Sequence, residues 1–179
     1  MTLHTDFKSE RLQMKLINQG HAALTYDFLQ DPQLYRYLPQ DPPERERLEE
    51  RYRLWESRSS PDESEYWLNW VIFLEDTCIG TVQAGVDRAT GEASIAYLIA
   101  TPSQGRGFGS EAANALLEHL THHYQVTKVK AWIDTRNVAS IRLVEKLGMQ
   151  RVELIEKADH FKGADSDEFV YQKSLSTLS

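Results

Sequence analysis

The chain has 179 residues, of which 41% are hydrophobic, and this is enough for one domain with a substantial core. Its formal net charge of −7 argues against a general nucleic-acid binder, which needs a basic surface, and is compatible with a cationic substrate or with simple solubility. No apolar run approaches the length of a membrane span, so we expect neither nucleic acid nor a membrane as a partner.

The first third of the chain predicts one strand followed by helices. Arg11 to Leu16 alternates polar and apolar residues, as a half-buried strand does. Apolar residues at helical spacing predict helices over His21 to Gln30 and Glu44 to Arg58, with a short helix beginning at Asp31 between them. Ser59 to Glu65 is polar and acidic, which indicates a loop.

The middle of the chain predicts three strands: Tyr66 to Leu74, Cys78 to Val86 and Glu92 to Thr101. The short polar turns between them indicate an antiparallel meander. The lone cysteine, Cys78, excludes an internal disulfide, and a small buried side chain is a better interpretation than a nucleophile because no electropositive neighbour is visible. Since Met1 to Ser9 also lacks the apolar core of a signal peptide, we expect a cytoplasmic protein.

The last third of the chain alternates helices and strands. The predicted segments are a helix containing Ala112 to Leu120, a strand over Lys128 to Asp134, a helix over Asn137 to Leu147, a strand over Met149 to Ile155, a loop over Lys157 to Asp167 and a strand over Glu168 to Leu175. With the earlier segments they make seven strands. The predicted fold class is therefore α/β (α+β), a single mixed and mostly antiparallel sheet flanked by helices.

A glycine-rich segment, Gln104 to Glu111, joins the meander to the helix that follows it. Glycine lets a ligand approach the backbone closely, and the unpaired first amides of a helix attract phosphate. The segment lacks the Gly-Lys-Ser/Thr ending of a Walker A loop, and Ser110 holds the place of the third glycine of a dinucleotide fingerprint. The segment instead has the pattern Gln-x-x-Gly-x-Gly, on Gln104, Gly107 and Gly109. The alternative interpretation is a glycine-rich turn before a surface helix, without a ligand.

A second motif lies one helix and one strand further along the chain. Asn137 to Met149 reads Asn-x-x-Ser, then Glu-Lys-Leu-Gly and an apolar residue. Together the two motifs resemble the signatures of the GCN5-related N-acetyltransferases (GNAT). The opening Ser9-Glu10-Arg11-Leu12 and the closing Glu168 to Tyr171 are similar to the branch that acetylates ribosomal-protein N-termini. The resemblance covers about residues 8 to 175, so we expect a single N-acetyltransferase domain over residues 1–179.

The resemblance implies the GNAT fold and acetyl-CoA as co-substrate, with no metal. In that fold the strand from Ala93 to Thr101 splays from the strand from Lys128 to Asp134, and the pantetheine arm pairs with the first strand like an added strand. The implied cofactor contacts lie on this strand, on the pyrophosphate loop and at one helix cap: Leu98, Ile99, Ala100, Gln104, Gly105, Arg106, Gly107, Phe108, Gly109, Ser110 and Asn137.

Ser140 is the implied catalytic partner of the leaving thiolate. Many relatives carry a tyrosine acid four residues later, where this chain has Val144. Relatives in the ribosomal-protein branch carry serine at the Ser140 position, and its hydroxyl can donate to sulfur. The alternative for Ser140 is a helix-terminal hydroxyl that bonds the backbone, and for Asn137 it is a plain N-cap.

The sequence does not identify the general base that removes the proton from the amine. The position at which some relatives carry a glutamate is Ala93 here, and strand alternation points the adjacent Glu92 to the opposite face. Asp134 and Glu156 are further candidates, although each is also interpretable as a solvated strand-end charge, and a water chain is another route. We expect Glu111 to serve the amides and the dipole of the first helical turn rather than catalysis.

The motifs leave the acceptor amine open: it is a protein N-terminus or a small amine. The segments expected on the substrate side, Asp31 to Glu65 and Lys157 to Asp167, are rich in acids, which predicts an acceptor on a cationic or neutral scaffold. A CoA-binding module that senses acyl-CoA without turnover is the alternative function, because the tyrosine acid is missing. The oligomeric state, monomer or homodimer, also stays open.

Overall fold

The computed structural model describes residues 4–176, which form one eight-stranded sheet with helices on both faces. The strands are β1 (Phe7–Lys8), β2 (Leu12–Leu16), β3 (Glu65–Leu74), β4 (Thr77–Asp87), β5 (Glu92–Ile99), β6 (Lys128–Asp134), β7 (Gln150–Phe161) and β8 (Ala164–Ser174). The α-helices are α1 (Ala22–Leu29), α2 (Arg45–Trp55), α3 (Phe108–Tyr124) and α4 (Val138–Lys146). Short 3-10 turns lie at Gln19–His21, Pro32–Tyr35 and Thr101–Ser103.

The strand order is β1-β2-β3-β4-β5-β6-β8-β7, and only the β5–β6 pair among these neighbours is parallel. Successive side chains of a strand point to opposite faces, so the sheet buries a separate apolar layer on each side. Trp70 and Ile72 of β3 pack with α3, whereas Val71 and Phe73 pack with α1 and α2. Val144 joins the first layer, which places α4 on the same face as α3.

The predicted mixed, mostly antiparallel sheet is confirmed, but it has eight strands rather than seven. The additional strand is β1, which precedes the predicted opening strand and is joined to it by a tight turn in which the Ser9 N–H donates to the Leu12 carbonyl (3.0 Å). The two residues of β1 then fold back and pair with β2. A strand of two residues is too short to show alternation, which is why the sequence did not predict it.

The predicted loop from Lys157 to Asp167 is wrong, because the β7–β8 hairpin continues through it to a two-residue turn. Lys162 and Gly163 form this turn with φ angles of 53° and 78°, the left-handed values that a tight hairpin turn requires. Most of β7 is exposed to solvent. Without a buried face a strand has no apolar alternation, and its sequence is polar like that of a loop.

The tip of this hairpin is tied to the segment between α1 and α2. The Lys162 ammonium donates to the carbonyl oxygens of Tyr35, Leu38 and Gln40 at 2.9, 2.6 and 3.0 Å. Its distance to the Asp41 carboxylate is 3.8 Å. One side chain therefore joins two segments that are far apart in the chain.

The central strands β5 and β6 part soon after they meet. Their parallel pairs are Glu92 with Lys128, Ala93 with Val129 and Ser94 with Lys130. Beyond Ser94 no described strand pairs with this edge of β5, while its other edge stays paired with β4 as far as Ile99. The predicted splayed pair is confirmed, and we refer to the gap bordered by residues 95–99 of β5 as the opening.

Candidate active site

The glycine loop lies between the end of β5 and the beginning of α3. Gly105 and Gly107 have φ angles of 74° and 82°, and Gly107 is the N-cap residue of α3. The Gln104 side-chain amide donates to the Ile99 carbonyl (2.9 Å), which fixes the loop to the end of β5. The N–H groups of Gly105, Arg106 and Gly107 donate to no acceptor within residues 4–176. The loop thus presents free amides at the positive end of a seventeen-residue helix.

Two guanidinium groups add positive charge at this loop. The Cζ atoms of Arg11 and Arg106 lie 4.5 and 4.8 Å from the ring centroid of Phe108, whose side chain is buried. Arg11 also donates to the Arg106 carbonyl (3.3 Å). Sequence reasoning did not assign Arg11 to the site, although it lies in the opening Ser-Glu-Arg-Leu motif. An anion at the loop would therefore meet a cation as well as amides.

Glu111 connects the beginning of the chain to α3 instead of serving the helix amides as predicted. Its carboxylate accepts from the Ser9 hydroxyl (2.6 Å) and from the N–H and Nε of Arg11 (2.8 and 2.7 Å). Burial raises the pKa of Glu111, but the hydrogen bonds from Ser9 and Arg11 outweigh it, and the net pKa is lowered. The ionised carboxylate therefore holds Arg11 beside the glycine loop.

Asn137 and Ser140 begin α4 beside the opening. The Asn137 Oδ1 accepts from the Ser140 N–H (3.2 Å), which is the geometry of an N-cap. The Ser140 hydroxyl has no hydrogen-bond partner within residues 4–176, so it does not bond the helix backbone there. Val144 is fully buried and anchors α4 to the core. The Ser140 hydroxyl is therefore available to a ligand rather than bonded to the helix backbone.

Tyr97 is a residue at the opening that sequence reasoning missed. It lies on β5, and its hydroxyl donates to the Ser140 carbonyl (3.4 Å). Burial raises the pKa of Tyr97, so the phenol keeps its proton at neutral pH. A phenol therefore lies beside Ser140 even though Val144 occupies the position where many relatives carry one. The signal in the sequence is a lone aromatic residue within an otherwise aliphatic strand, which lies outside the α4 motif where many relatives carry the acid.

Two of the candidate bases are engaged in ion pairs. The Glu92 carboxylate accepts from Lys128 (2.6 Å) and lies 3.1 Å from the Lys130 ammonium, at the closed end of the β5–β6 pair. The hydrogen bond from Lys128 is the main cause of the lowered pKa of Glu92. Asp134 accepts from Arg136 (2.6 and 2.9 Å) and from the Ser166 hydroxyl (2.8 Å).

Asp134 is buried, so its interpretation as a solvated strand-end charge is wrong. The hydrogen bonds from Arg136 lower the pKa of Asp134 to about 2, which makes it a weak proton acceptor near neutral pH. Glu156, the third candidate, is exposed on β7, as a solvated charge would be. None of the three carboxylates is therefore poised as a base by its described surroundings, and the water route stays open.

Residues 11–150 match the family model of the acetyltransferase (GNAT) domain. The chain belongs to the GNAT acetyltransferases. The uncharacterized N-acetyltransferase p20 of Bacillus licheniformis is 23% identical, over 95% of this chain and 94% of its own. Among solved structures, RimL, a ribosomal L7/L12 alpha-N-protein acetyltransferase in complex with coenzyme A, has a TM-score of 0.86 at 15% identity, with 95% of this chain and 97% of RimL covered. Spermidine N-acetyltransferase from Vibrio cholerae has 0.79 at 18% identity, with 92% and 95% covered.

Family membership confirms the prediction of a GNAT N-acetyltransferase that uses acetyl-CoA. The likeness to the ribosomal-protein branch is confirmed at the level of the fold. No group of three or more His, Cys, Asp or Glu side chains that could hold a metal ion occurs within residues 4–176. No helix in the same range is long and apolar enough to cross a membrane.

The roles of individual residues toward the cofactor stay predictions, and the geometry refines those on β5. The Ala100 N–H donates to the Ile79 carbonyl (2.8 Å), so this amide faces β4. Because backbone groups alternate between the two edges of a strand, the N–H groups of Ile99 and Tyr97 face the opening. The GNAT cofactor arm would therefore pair with Tyr97 and Ile99 rather than with Leu98 and Ala100.

We expect Asp134→Asn to lower the free energy of unfolding at neutral pH and to have a smaller effect in acid. The native pKa of about 2 lies below the ordinary value of 3.8, so the carboxylate stabilises the fold above about pH 4. That stability is lost as the pH falls from 4 toward 2. Urea unfolding of both proteins at pH 7, 4 and 3 measures the difference.

The control for this experiment is Asp76→Asn, which neutralises an exposed acid in the β3–β4 turn. It should change the stability little at any of the three pH values. A stability gap between wild type and Asp134→Asn that stays constant from pH 7 to 3 would contradict the linkage.

Proposed function

We propose that this GNAT enzyme transfers acetyl from acetyl-CoA to a primary amine by direct attack of the amine on the thioester, within one domain over residues 1–179. The observation that carries the proposal is the opening between β5 and β6, which has the glycine loop at one end and Ser140 with Tyr97 beside it. The half-buried lone cysteine, Cys78, agrees with the proposed cytoplasmic location.

Free backbone groups support the proposed seat for the cofactor. The amides from Gly105 to Ser110 would bind the pyrophosphate, with Arg11 and Arg106 as cations nearby. The pantetheine arm would then pair with the free edge of β5, since an open edge needs partners for its amides and carbonyls. Acetyl-CoA, when bound, supplies the activated acetyl thioester.

The transfer needs a route for the amine proton and two hydrogen-bond donors from the chain, one for the oxyanion and one for the leaving thiolate. A neutral amine attacks the carbonyl carbon, the C–N bond forms, the C–S bond breaks, and the amine proton leaves through water. The backbone N–H of Tyr97 or Ile99 at the free edge of β5 would donate to the tetrahedral oxyanion. The Ser140 hydroxyl, with the Tyr97 phenol beside it, would donate to the leaving thiolate.

The acceptor is a protein N-terminus or a small amine, and structural neighbours with either kind of substrate in their names support both. Release of free thiol from acetyl-CoA across a panel of N-terminal peptides and small amines tests the proposal. Turnover with one class identifies the acceptor. Tight acetyl-CoA binding without turnover on any amine would favour the alternative, a non-catalytic acyl-CoA-binding module, which Val144 in place of the family tyrosine supports.

We expect the apparent KM for a cationic amine to rise with ionic strength. The net charge of −7 attracts an ammonium, and salt screens exposed charges over about 10 Å at 0.1 M. Several of the acids on the substrate side have local partners: Asp62 accepts from Ser60 and Ser64, Asp165 from His160, and Asp167 from the Lys157 N–H.

These partners leave the long-range field of the acids in place but limit their direct contact with a substrate. A titration from 20 to 500 mM salt at saturating acetyl-CoA measures the effect. A KM that does not change over this range would mean that the acids only solvate their loops. A neutral acceptor, if one is found, provides the comparison that separates screening from a general effect of salt on the enzyme.

A further inference from the structure

A cavity of about 250 Å³ lies on the face of the sheet that carries α1 and α2. Alternate residues of three adjacent strands form its floor, and the end of α2 forms a wall. The side chains and backbone that line it include Trp55, Glu65, Trp67, Asn69, Gln83, Gly85 and Ser94. The volume is near the lower limit for small-ligand sites, about 300–1,000 Å³, so it suits a small molecule or one side chain rather than a large scaffold.

Asn69 is the buried polar group of this cavity. Its residue is 6% exposed, and its side-chain amide has no hydrogen-bond partner within residues 4–176. Within the same range only the His119 Nε2 atom is both fully buried and unpaired, so the Asn69 amide reaches the solvent of the cavity and is free to donate to a ligand and to accept from it. Gln83, across the β3–β4 pair from Asn69, adds a second amide on the same face.

Glu65 gives the cavity its charge. Its Oε2 accepts from the Trp67 indole N–H (3.0 Å), and no Lys, Arg or His within residues 4–176 forms an ion pair with it. The indole rings of Trp55 and Trp67 border the same space. A carboxylate without an ion-pair partner attracts an ammonium group by charge, and the two indole rings border the space that this group would occupy.

The cavity adjoins the point where the opening begins. Ser94 lines it and is also the last residue of β5 that pairs with β6. The glycine loop and Ser140 belong to α3 and α4, on the opposite face of the sheet. An amine in this cavity and a thioester in the opening would therefore approach each other from two sides, without competition for space.

The distance between the two places indicates the class of acceptor. From Ser94 to Tyr97 the strand advances about 10 Å, at roughly 3.3 Å per residue. A single amino group cannot lie beside Glu65 and also reach a thioester near Tyr97. A molecule with two amino groups separated by several methylene groups can do both.

We propose that this cavity is the acceptor site and that it takes a linear diamine or polyamine, whose distal ammonium Glu65 and the two indoles bind while Asn69 and Gln83 supply hydrogen bonds. The proposal rests on the proposed function, because it assumes that the thioester lies in the opening. It adds the chemical class of the amine and the residues that select it.

Binding of spermidine to the protein saturated with coenzyme A, measured by calorimetry, tests the cavity independently of turnover. Glu65→Gln keeps the size and the acceptor for Trp67 but removes the charge, and should weaken binding at least tenfold. Glu63→Gln is the matched control: it removes the same charge two residues away, at an exposed position that does not line the cavity. It should leave the affinity within twofold of wild type.

A second variant, Gly85→Ala, probes the space without changing charge. Its Cβ would lie 3.0 Å from the Ser94 Oγ and 4.0 Å from the Glu65 Oε2, so spermidine affinity should fall while the melting temperature changes little. Equal spermidine binding by wild type and Glu65→Gln, or no spermidine binding by wild type, would overturn the assignment.

Kinetics then separate this proposal from the general one. With spermidine as acceptor, Glu65→Gln should raise KM at least tenfold, whereas with n-hexylamine it should change KM less than twofold. If spermidine binds through Glu65 but no amine is acetylated, the proposed function fails, and the cavity stands as a polyamine-binding site but not as an acceptor site. If amines are acetylated and n-hexylamine is as sensitive to Glu65→Gln as spermidine, or only N-terminal peptides react, the diamine assignment fails.

Discussion

Gly107→Val is expected to raise the dissociation constant of acetyl-CoA at least tenfold, which corresponds to about 1.4 kcal/mol. Gly107 has a φ of 82° as the N-cap of α3, and a β-branched residue there is strained by roughly 1–3 kcal/mol. The loop would relieve the strain by turning its amides away from the phosphate position. Calorimetric titration of acetyl-CoA into both proteins measures the change.

The matched control is Gly91→Val. Gly91 has a φ of 70° in the turn between β4 and β5, so the same backbone strain is introduced away from the glycine loop. It should lower the melting temperature without changing the affinity for acetyl-CoA. If a folded Gly107→Val protein binds acetyl-CoA as well as the wild type, the loop is not the pyrophosphate site.

A bulky residue at Gly109 should also weaken cofactor binding, but for a different reason. The φ of Gly109 is not in the left-handed region, and an added Cβ would lie 3.0 Å from the Leu143 side chain and 3.5 Å from that of Ile99. The substitution would therefore push α3 away from α4 and β5. Any loss of affinity in a Gly109 variant should therefore be accompanied by a loss of stability from this displaced packing. Gly107→Val separates the two effects better, and this is why Gly107 is the better test.

Ser140→Ala is expected to lower kcat by about 10²- to 10⁴-fold, the range for loss of general-acid assistance. The affinity for acetyl-CoA should change little, because the Ser140 N–H, and not its hydroxyl, is what Asn137 caps. Ser140→Thr retains a hydroxyl and should recover part of the rate. Steady-state kinetics with an accepted amine, together with calorimetry of acetyl-CoA binding, measures both quantities.

Tyr97→Phe decides whether the phenol shares this task. If Ser140→Ala costs only twofold while Tyr97→Phe costs a hundredfold or more, the proton for the thiolate comes from Tyr97 and Ser140 is structural. If both variants lose activity and the double variant loses no more than the worse of the two, the two hydroxyls act as one unit.

Local sequence patterns predicted most of the fold. The three strands of the meander and the helices on either side of β6 occur close to where the sequence placed them, since each has a buried face whose period is readable. The extended β7–β8 hairpin was not predictable in this way. Its outer half has no buried face, and its tip is held by Lys162 on carbonyls more than 120 positions earlier.

The candidate site likewise has some parts that the sequence predicted and others that only the fold brings together. The glycine loop and the Asn137 cap are local motifs, and each was visible in the sequence. Arg11 reaches the loop through Glu111, one hundred positions away, and Tyr97 meets Ser140 only because β5 and α4 border the same opening. Asp134 accepts a hydrogen bond from Ser166 of the neighbouring strand β8. Spacing in the chain carries no signal for such contacts.

The tether at the hairpin tip also bears on whether the enzyme acetylates its own lysines. A lysine side chain is a primary amine, and only its neutral form has a lone pair that can attack a thioester. Lys162 directs its ammonium group at three carbonyl oxygens, and Lys128 and Lys130 at the closed end of the splayed strands direct theirs at Glu92. Each of these contacts must break before the amine can reach a thioester. The contacts that hold the substrate side together therefore also protect these lysines from self-acetylation.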